Sequence, residues 1–515
     1  MNGAESMLQT LINNGVEVCF TNPGTSEMHM VAAIGKSEGM RSILGLFEGV
    51  CTGAADGYGR MAGKPACTLL HLGPGLSNGS ANLHNAKKAN SPIINLIGDH
   101  ATYHKKYDAP LTSDIVGLSG PVSHWVKSVE SAESLPRDAL DSVTAANVQP
   151  GQIATLIIPA NCAWDDSIEP LPREDAPSTP CVSDDRVTDA AALLTNGKPT
   201  IILLGNMGLT EKSQCIVDKI AQVSGARIMC DTFTTRLPRG EGRCEVERLG
   251  YFSEQATEQV KGTEQLIMVG TKAPVAFFAY PGKASEFYPE GCDLHVLADA
   301  NQNAEDALTR LCTALSASDL APRKIQRQKQ GAGSGELNQF TVGQTVAEFL
   351  PTDAIVVDEA ATSGAGSFIS TATSEPHDWL SLTGGSIGFG LPTSIGAAVA
   401  CPDRKVICLH GDGGAMYTIQ SLWTMARENL DVCVVIFANR KYQILQVELA
   451  RVGAQSMTKK TLDMLDIGNP DMNFVKMSEG MGVRANRAET IEEFNDLYLD
   501  AMRTQGPCLI EVILP

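Results

Sequence analysis

Short runs of β-branched and other apolar residues alternate with longer stretches of helical periodicity along most of the chain. Such runs, which contain few polar side chains, are typical of strands that are covered on both faces. They lie at residues 93–97, 200–204, 265–269, 354–357 and 432–437. Buried strands that are separated by helices predict an α/β protein with parallel sheets.

Two segments without apolar periodicity divide the chain into thirds. Residues 165–185 and 316–338 are rich in Pro, Ser and charged side chains, as linkers are. The 515 residues exceed what one hydrophobic core supports. We therefore predict three doubly wound domains with parallel sheets, at residues 1–165, 186–316 and 339–515. Ligands bind such sheets beyond the carboxyl ends of the strands, so the residues that follow the apolar runs are candidates for function.

Composition and charge exclude several classes of function. The chain has 40 Lys and Arg against 59 Asp and Glu, and its net charge of -19 repels nucleic acid and anionic membrane surfaces. Its 14 cysteines lie in apolar runs without CxxC pairs, which indicates reduced core thiols. No leader and no apolar stretch long enough to cross a membrane is visible. We expect a cytoplasmic protein without a nucleic-acid or membrane partner.

A candidate metal loop lies in the last third. One predicted strand leads into Gly411, Asp412, Gly413 and Gly414, and the next one ends just before Asn439. The right-handed crossover between parallel strands brings the two strand ends together. A carboxylate, an amide oxygen and a loop carbonyl suit Mg²⁺ when phosphate oxygens and water complete its octahedron. The glycines let backbone N–H groups approach phosphate. Taken alone, Gly-Asp-Gly fits a plain turn equally well.

This spacing resembles the signature of thiamine-diphosphate-dependent enzymes, in which Gly-Asp-Gly is followed, after one crossover, by an asparagine that is commonly paired as Asn-Asn. Ala438 replaces the first asparagine here, and Asn439 remains. The resemblance implies that Asp412, Asn439 and the main-chain carbonyl of Lys441 bind Mg²⁺. It also implies a cofactor contact at Tyr442.

A second motif begins at Glu48, which opens a helix of small residues that ends in Gly-Tyr-Gly-Arg at 57–60. A surface glutamate at a helix start, which the helix dipole favours, is the common case in isolation. The run closely resembles the thiamine-enzyme pattern of a glutamate ahead of Gly-Tyr-x-Arg. A carboxyl group that was buried there would have a raised pKa. The resemblance implies that Glu48 hydrogen-bonds the aminopyrimidine ring and favours the imino tautomer that generates the ylid.

The glycine-rich segment 384–392 is similar to the family loop that holds the cofactor in a bent shape. In this resemblance Ile387 is the bulky apolar prop, and Gly385 offers its carbonyl to the pyrimidine amino group. A glycine-rich turn does not need a ligand, but this one lies ahead of the metal loop as in the family. Thr362 and Ser363 are further candidate diphosphate contacts.

The substrate-facing positions combine patterns from different family members. His71 stands where benzoylformate decarboxylases have a histidine and is a candidate acid or base, the alternative being a histidine bound to loop carbonyls. Thr25 matches their substrate-binding serine, and residues 275–280 replace the segment with their second histidine. Acetolactate synthases resemble the chain elsewhere, although Pro110 and Leu111 stand where they carry a Phe-Gln pair.

The resemblance covers nearly the whole chain, in the order pyrimidine-binding, central and diphosphate-binding domain. It implies an acetolactate-synthase-like decarboxylase or carboligase, in which the ylid attacks the keto carbon of a 2-oxo acid and an enamine forms. A benzoylformate-decarboxylase-like enzyme and an oxidase or hydrolytic lyase on the same cofactor are alternatives. A non-catalytic thiamine-binding subunit is disfavoured because Glu48, Asp412 and Asn439 all remain.

Two properties of the assembled enzyme follow from the resemblance. The two halves of the site lie at opposite ends of the chain, and in the family they meet across a dimer interface. We therefore expect a homodimer at minimum and favour a homotetramer. Thiamine diphosphate and Mg²⁺ are the implied cofactors, whereas FAD stays open because no dinucleotide fingerprint is visible.

Overall fold

The computed structural model describes residues 1–453 and 458–514. The first sheet has six parallel strands in the order β2-β1-β3-β4-β6-β5. The strands are β1 (Val18–Asn22), β2 (Arg41–Leu44), β3 (Ala66–Leu70), β4 (Ile93–Asp99), β5 (Trp125–Ser128) and β6 (Ile153–Pro159). The helices are α1 (Gly3–Asn13), α2 (Met28–Lys36), α3 (Glu48–Ala62), α4 (Leu72–Ala89), α5 (Ile115–Ser119), α6 (Leu135–Ala146) and α7 (Ala160–Trp164).

The second sheet has five parallel strands in the order β10-β8-β7-β11-β12. The strands of the middle third are β7 (Thr200–Leu204), β8 (Arg227–Cys230), β9 (Leu237–Arg239), β10 (Glu247–Arg248), β11 (Gln265–Val269) and β12 (Asp293–Ala298). Its helices are α8 (Asp184–Thr195), α9 (Glu211–Ser224), α10 (Ser253–Gln259) and α11 (Ala304–Ala314).

The third sheet has seven strands in the order β17-β18-β16-β15-β13-β14-β9. The last third contributes β13 (Ala354–Glu359), β14 (His377–Ser381), β15 (Val406–Gly411), β16 (Val432–Ala438), β17 (Arg484–Ala488) and β18 (Cys508–Ile513). Its helices are α12 (Gln339–Glu348), α13 (Ala365–Ser370), α14 (Gly390–Ala400), α15 (Asp412–Ala415), α16 (Ser421–Arg427), α17 (Gln443–Arg451), α18 (Lys459–Asp463), α19 (Phe474–Gly480) and α20 (Ile491–Arg503).

The predicted α/β class with three main sheets is confirmed, with one correction. The third sheet is mixed, because β9 of the middle third pairs antiparallel with β14. The short strand β9 supplies hydrogen-bond partners to β14, which would otherwise be an unpaired edge strand of the third sheet. The exact ends of the three predicted domains stay predictions.

Helices α3 and α14 pack closely and join the first and last thirds. A Cβ atom on Gly57 would lie 2.1 Å from the Thr393 carbonyl oxygen, and one on Gly396 would lie 1.9 Å from that of Ala54. The backbones therefore approach more closely than any side chain at these two positions would allow. This contact anchors α3, whose first residue is Glu48, against α14, which itself packs on β13, β15 and β16.

The structure also bears on the sulfur chemistry and on membranes. All 14 cysteines are free, and most are buried. Within residues 1–453 and 458–514, we find no helix with the length and apolar character needed to cross a bilayer.

Candidate active site

The structure brings Asp412 and the turn after β16 together. Strands β15 and β16 are parallel neighbours, with Gly411 opposite Phe437. Asp412 Oδ2 accepts the backbone N–H of Arg440 at 2.7 Å, and Oδ1 accepts that of Gly413 at 2.8 Å. The carboxylate is thus fixed beside the turn that carries Asn439 and Lys441.

The charge and burial of this loop suit a hard cation. Asp412 is buried, and burial raises its pKa, whereas the N–H groups of Arg440 and Gly413 lower it. A divalent ion would favour the ionised carboxylate. Asn439 is half-buried, and its amide oxygen accepts the N–H of Lys441 at 3.2 Å. The donor set of carboxylate, amide and loop carbonyl therefore fits Mg²⁺.

Two neighbouring segments pack beside this loop. The ring of Tyr442 lies against Gly413, and a Cβ atom there would be 2.4 Å from Tyr442 Cε1. Beside this loop, the carboxyl end of β13 leads into a 3₁₀ turn, Ala361–Ser363, which helix α17 contacts. Ser363 is buried in it and Thr362 is half-buried. Candidate contacts from three neighbouring strand ends therefore share one edge of the sheet.

Glu48 lies at the first position of α3 and is only half-buried in the single chain. Its Oε2 accepts a hydrogen bond from Asn78 Nδ2 at 3.0 Å. Within one chain the carboxyl group is therefore not buried, because the start of α3 is open to solvent while nearly all of the helix after it is covered. Any further burial requires a ligand or another chain.

Helix α4 connects the start of α3 with the glycine-rich loop. Asn82 Nδ2 donates to the Gly49 oxygen at 2.9 Å and to the Gly388 oxygen at 3.3 Å. Asn85 exchanges two hydrogen bonds with the backbone of Ser386, at 2.8 and 3.0 Å. One chain therefore places the loop that carries Gly385 next to the helix that begins with Glu48.

Glu359 and His410 form a buried acid–imidazole pair that packs against this loop. Sequence reasoning missed this pair. Glu359, at the end of β13, accepts the N–H groups of Gly388 at 2.6 Å and Gly390 at 2.5 Å. Its Oε2 lies 3.0 Å from His410 Nε2. Burial by itself lowers the pKa of His410. The charge and hydrogen bond of Glu359 have the larger combined effect, so the pKa of His410 is raised. The loop is thus fixed, and its Ile387 side chain remains 36% exposed.

His71 forms a second acid–imidazole pair, with Glu27. Its Nδ1 lies 2.8 Å from Glu27 Oε2 and 3.3 Å from Ser26 Oγ. Glu27 is fully buried and also accepts the Gly24 N–H at 2.7 Å and the Ser26 hydroxyl at 2.8 Å. When Glu27 is a carboxylate it can only accept, so Nδ1 is then the donor and Nε2 is left for proton exchange. The described partners of Nδ1 are thus a carboxylate and a hydroxyl rather than loop carbonyls. Thr25 is exposed.

Two glycines make room for this pair. A Cβ atom on Gly98 would lie 1.7 Å from Glu27 Oε1, and one on Gly24 would lie 2.3 Å from His71 Nδ1. The only hint of this pair in the sequence is that Glu27 lies two residues after Thr25. His71, the partner of Glu27, is 44 positions away along the chain. Only the fold shows the contact.

The turn after β7, where a dinucleotide would bind the central sheet, is filled by side chains. A Cβ atom on Gly205 would lie 2.7 Å from Thr271 Cβ and 2.9 Å from Asp231 Oδ2. Burial raises the pKa of Asp231 to about 6, against a hydrogen bond from Thr271 that lowers it. The Asp231 carboxyl group lies beside the turn, where its negative charge repels a phosphate group and its atoms occupy the position that a phosphate would take.

Comparisons with known proteins agree on one family. Residues 364–512 match "Thiamine pyrophosphate enzyme, C-terminal TPP binding domain", and residues 1–118 match the corresponding N-terminal TPP binding domain. The chain is 49% identical to "Putative acetolactate synthase large subunit IlvX" of Mycobacterium tuberculosis, over 100% of this chain and 99% of that protein. It is 27% identical to a benzoylformate decarboxylase of Pseudomonas aeruginosa, over 98% of this chain and 97% of that protein.

A solved structure shows the same fold along the whole chain. The thiamine diphosphate-dependent 4-hydroxybenzoylformate decarboxylase of Rhodococcus jostii superposes with a TM-score of 0.85, at 23% sequence identity. The match covers 100% of this chain and 99% of that one. The arrangement of three sheets is therefore that of a known enzyme fold.

Proposed function

Because the chain belongs to the family of thiamine pyrophosphate enzymes, we propose that it decarboxylates a 2-oxo acid with the help of thiamine diphosphate and Mg²⁺. The product is an aldehyde or, after joining to a second carbonyl compound, a hydroxy ketone. The relative that is 49% identical and carries an acetolactate synthase name supports the second outcome. Enzymes of this family act on small 2-oxo acids and are typically oligomeric, and we propose a homodimer or homotetramer.

The observation that carries the proposal is the contact between Asp412 and the turn after β16. In this contact the backbone N–H of Arg440 donates a hydrogen bond to Asp412 Oδ2. It supplies hard oxygen ligands at the carboxyl edge of a parallel sheet, where such folds bind ligands. In this proposal Asp412, Asn439 and the Lys441 carbonyl hold Mg²⁺. The cofactor contacts are Glu48, Thr362, Ser363, Gly385, Ile387, Gly411, Asp412, Gly413, Gly414, Asn439 and Tyr442.

When bound, thiamine diphosphate supplies a nucleophilic carbon and an electron sink. The chain's own residues supply the protons and the orientation. Glu48 offers a carboxyl oxygen at the open end of α3, where it would hold a proton against the aminopyrimidine ring of the bound cofactor. His71 is oriented through Nδ1 by Glu27, so that Nε2 gives or takes a proton at the substrate. Thr25 is the proposed contact for the substrate's polar end.

One observation favours a second candidate, a decarboxylase of the benzoylformate type. Release of an aldehyde requires a proton at the former keto carbon, and carboligation does not. The buried Glu27 carboxylate holds His71 in the tautomer that suits proton exchange through Nε2. An oxidase that uses FAD is disfavoured by the filled turn at Gly205.

The test is a product screen of protein loaded with cofactor and Mg²⁺. Pyruvate, 2-oxobutyrate and phenylglyoxylate are offered with and without an added aldehyde, and CO₂, aldehyde and hydroxy ketone are measured. We expect CO₂ from at least one acid. Hydroxy ketone without added aldehyde supports the acetolactate-synthase type, whereas free aldehyde alone supports the second candidate. No CO₂ from any acid, with the cofactor bound, would contradict both.

A further inference from the structure

Five aromatic rings lie together at the carboxyl edge of the central sheet, and we call them the aromatic wall. Phe233 follows β8, Tyr251 and Phe252 follow β10, and Phe277 and Phe278 follow β11. Neighbouring rings are 4.8–6.1 Å apart between centroids and inclined by 50–72°. These are the spacings of attractive aromatic pairs, so the rings form a connected surface.

The aromatic wall lies between the glycine-rich loop that carries Gly385 and helix α17. On one side, Phe277 lies over Gly385, where a Cβ atom would be 2.5 Å from Phe277 Cζ. On the other side, the Tyr280 hydroxyl donates to Glu448 at 2.8 Å, and the Arg451 guanidinium lies 4.5 Å from the Phe252 ring centroid. Glu448 and Arg451 belong to α17, which follows the turn of the metal loop directly.

The wall keeps an apolar face uncovered. Phe277 is 42% exposed and Phe278 is 53% exposed. Exposed clusters of large apolar side chains mark binding surfaces, and the carboxyl edge of a parallel sheet is where ligands bind. An aryl group gains ring contacts and buried area on such a surface, whereas a methyl group reaches too little of it.

We propose that the aromatic wall binds the side chain of the 2-oxo acid and selects aryl or large branched apolar side chains over the methyl group of pyruvate. This inference rests on the proposed function for its substrate class. It adds a specificity-determining role for Phe277 and Phe278, on the central domain, to a site that the first and last thirds form.

The test compares kcat/KM for phenylglyoxylate and for pyruvate in cofactor-loaded variants. Phe278→Ala removes the more exposed ring, and Phe277→Ala removes the ring next to Gly385. Phe277→Leu keeps apolar bulk at that position. Phe340→Ala is the matched control, because Phe340 on α12 is also 53% exposed. We expect the phenylglyoxylate-to-pyruvate ratio to fall about tenfold or more in the two alanine variants. It should fall less in Phe277→Leu and stay unchanged in the control.

Binding of inert 2-hydroxy acids separates this proposal from the proposed function. Mandelate should bind the cofactor-loaded protein more tightly than lactate, and Phe278→Ala should remove the preference. If no 2-oxo acid of the product screen is turned over but this result holds, the wall stands and the proposed function fails. If both acids are turned over and no variant changes their ratio, the wall is refuted. Loss of subunit association in Phe278→Ala, with the preference intact, would also refute it and make the wall a contact between copies.

Discussion

Replacement of Glu27 by Gln tests whether a buried carboxylate sets the state of His71. The two side chains have the same shape, so the packing around Gly98 and Gly24 is kept. In the unsubstituted chain, the Glu27 carboxylate accepts three hydrogen bonds, from Gly24 N, Ser26 Oγ and His71 Nδ1. An amide keeps one accepting oxygen and has no charge, so it cannot fix the His71 tautomer as firmly.

The bond between His71 and Glu27 sets the size of the expected effect. A hydrogen bond to a charged group contributes about 1.5–3 kcal/mol, against about 0.5–1.5 kcal/mol for a neutral one. If the difference of about 1–1.5 kcal/mol is lost from the orientation of His71, Glu27→Gln lowers kcat/KM by roughly 5–13-fold. The free energy of unfolding should change by less than about 2 kcal/mol, because a neutral amide also costs less to bury.

Three measurements check this prediction together: steady-state turnover of the best 2-oxo acid, urea unfolding, and the ¹⁵N shifts of the His71 ring. We expect reduced turnover, nearly unchanged stability and a shift of the ring nitrogens toward a mixture of tautomers. Glu17→Gln is the control, since Glu17 is an exposed partner of Lys64 at 2.7 Å. Normal turnover and unchanged His71 shifts in Glu27→Gln would refute the positioning role.

Three further predictions concern Gly98, Glu48 and Asp231. Gly98→Ala should lower the free energy of unfolding by about 1–3 kcal/mol and reduce turnover, because its Cβ displaces Glu27, whereas Gly35→Ala, with no atom within 4 Å, should do neither. Glu48→Gln should abolish turnover and leave the calorimetric affinity for thiamine diphosphate within about threefold, less than about 0.7 kcal/mol; wild-type turnover would contradict its role. Burial raises the pKa of Asp231 to about 6, so its protonated form stabilises the fold below about pH 4, and this stability is lost as the pH rises through 6. Urea unfolding of Asp231→Asn should therefore show a gain of at most about 3 kcal/mol at pH 7 and little at pH 4, and equal gains would contradict the assignment.

The fold class could be predicted because its signal is local. Apolar runs that are buried on both faces differ from amphipathic helices over a few residues, and the handedness of the crossover then brings Asp412 to the turn that carries Asn439. The same reasoning could not find the addition of β9 to the third sheet. That strand, Leu237–Arg239, is short, and its partner is β14, far along the chain.

The acid–imidazole pairs also could not be predicted, because the two members of each pair lie far apart along the chain. Glu359 and His410 face each other across neighbouring strands, and Glu27 reaches His71 from another loop. A polar residue inside an apolar strand, such as His410 within residues 406–411, is a visible signal of a special role. Its partner depends on strand order, which a single sequence does not reveal.

The central claim is that Asp412 and the turn after β16 bind the diphosphate end of the cofactor through Mg²⁺. Titration calorimetry of thiamine diphosphate into the metal-free protein, with and without added Mg²⁺, tests it most directly when wild type is compared with Asp412→Ala. We predict tight binding only for wild type with Mg²⁺, and at least a hundredfold loss of affinity, about 2.7 kcal/mol, in the variant. Equal affinity in the variant, or in wild type without the metal, would contradict the account.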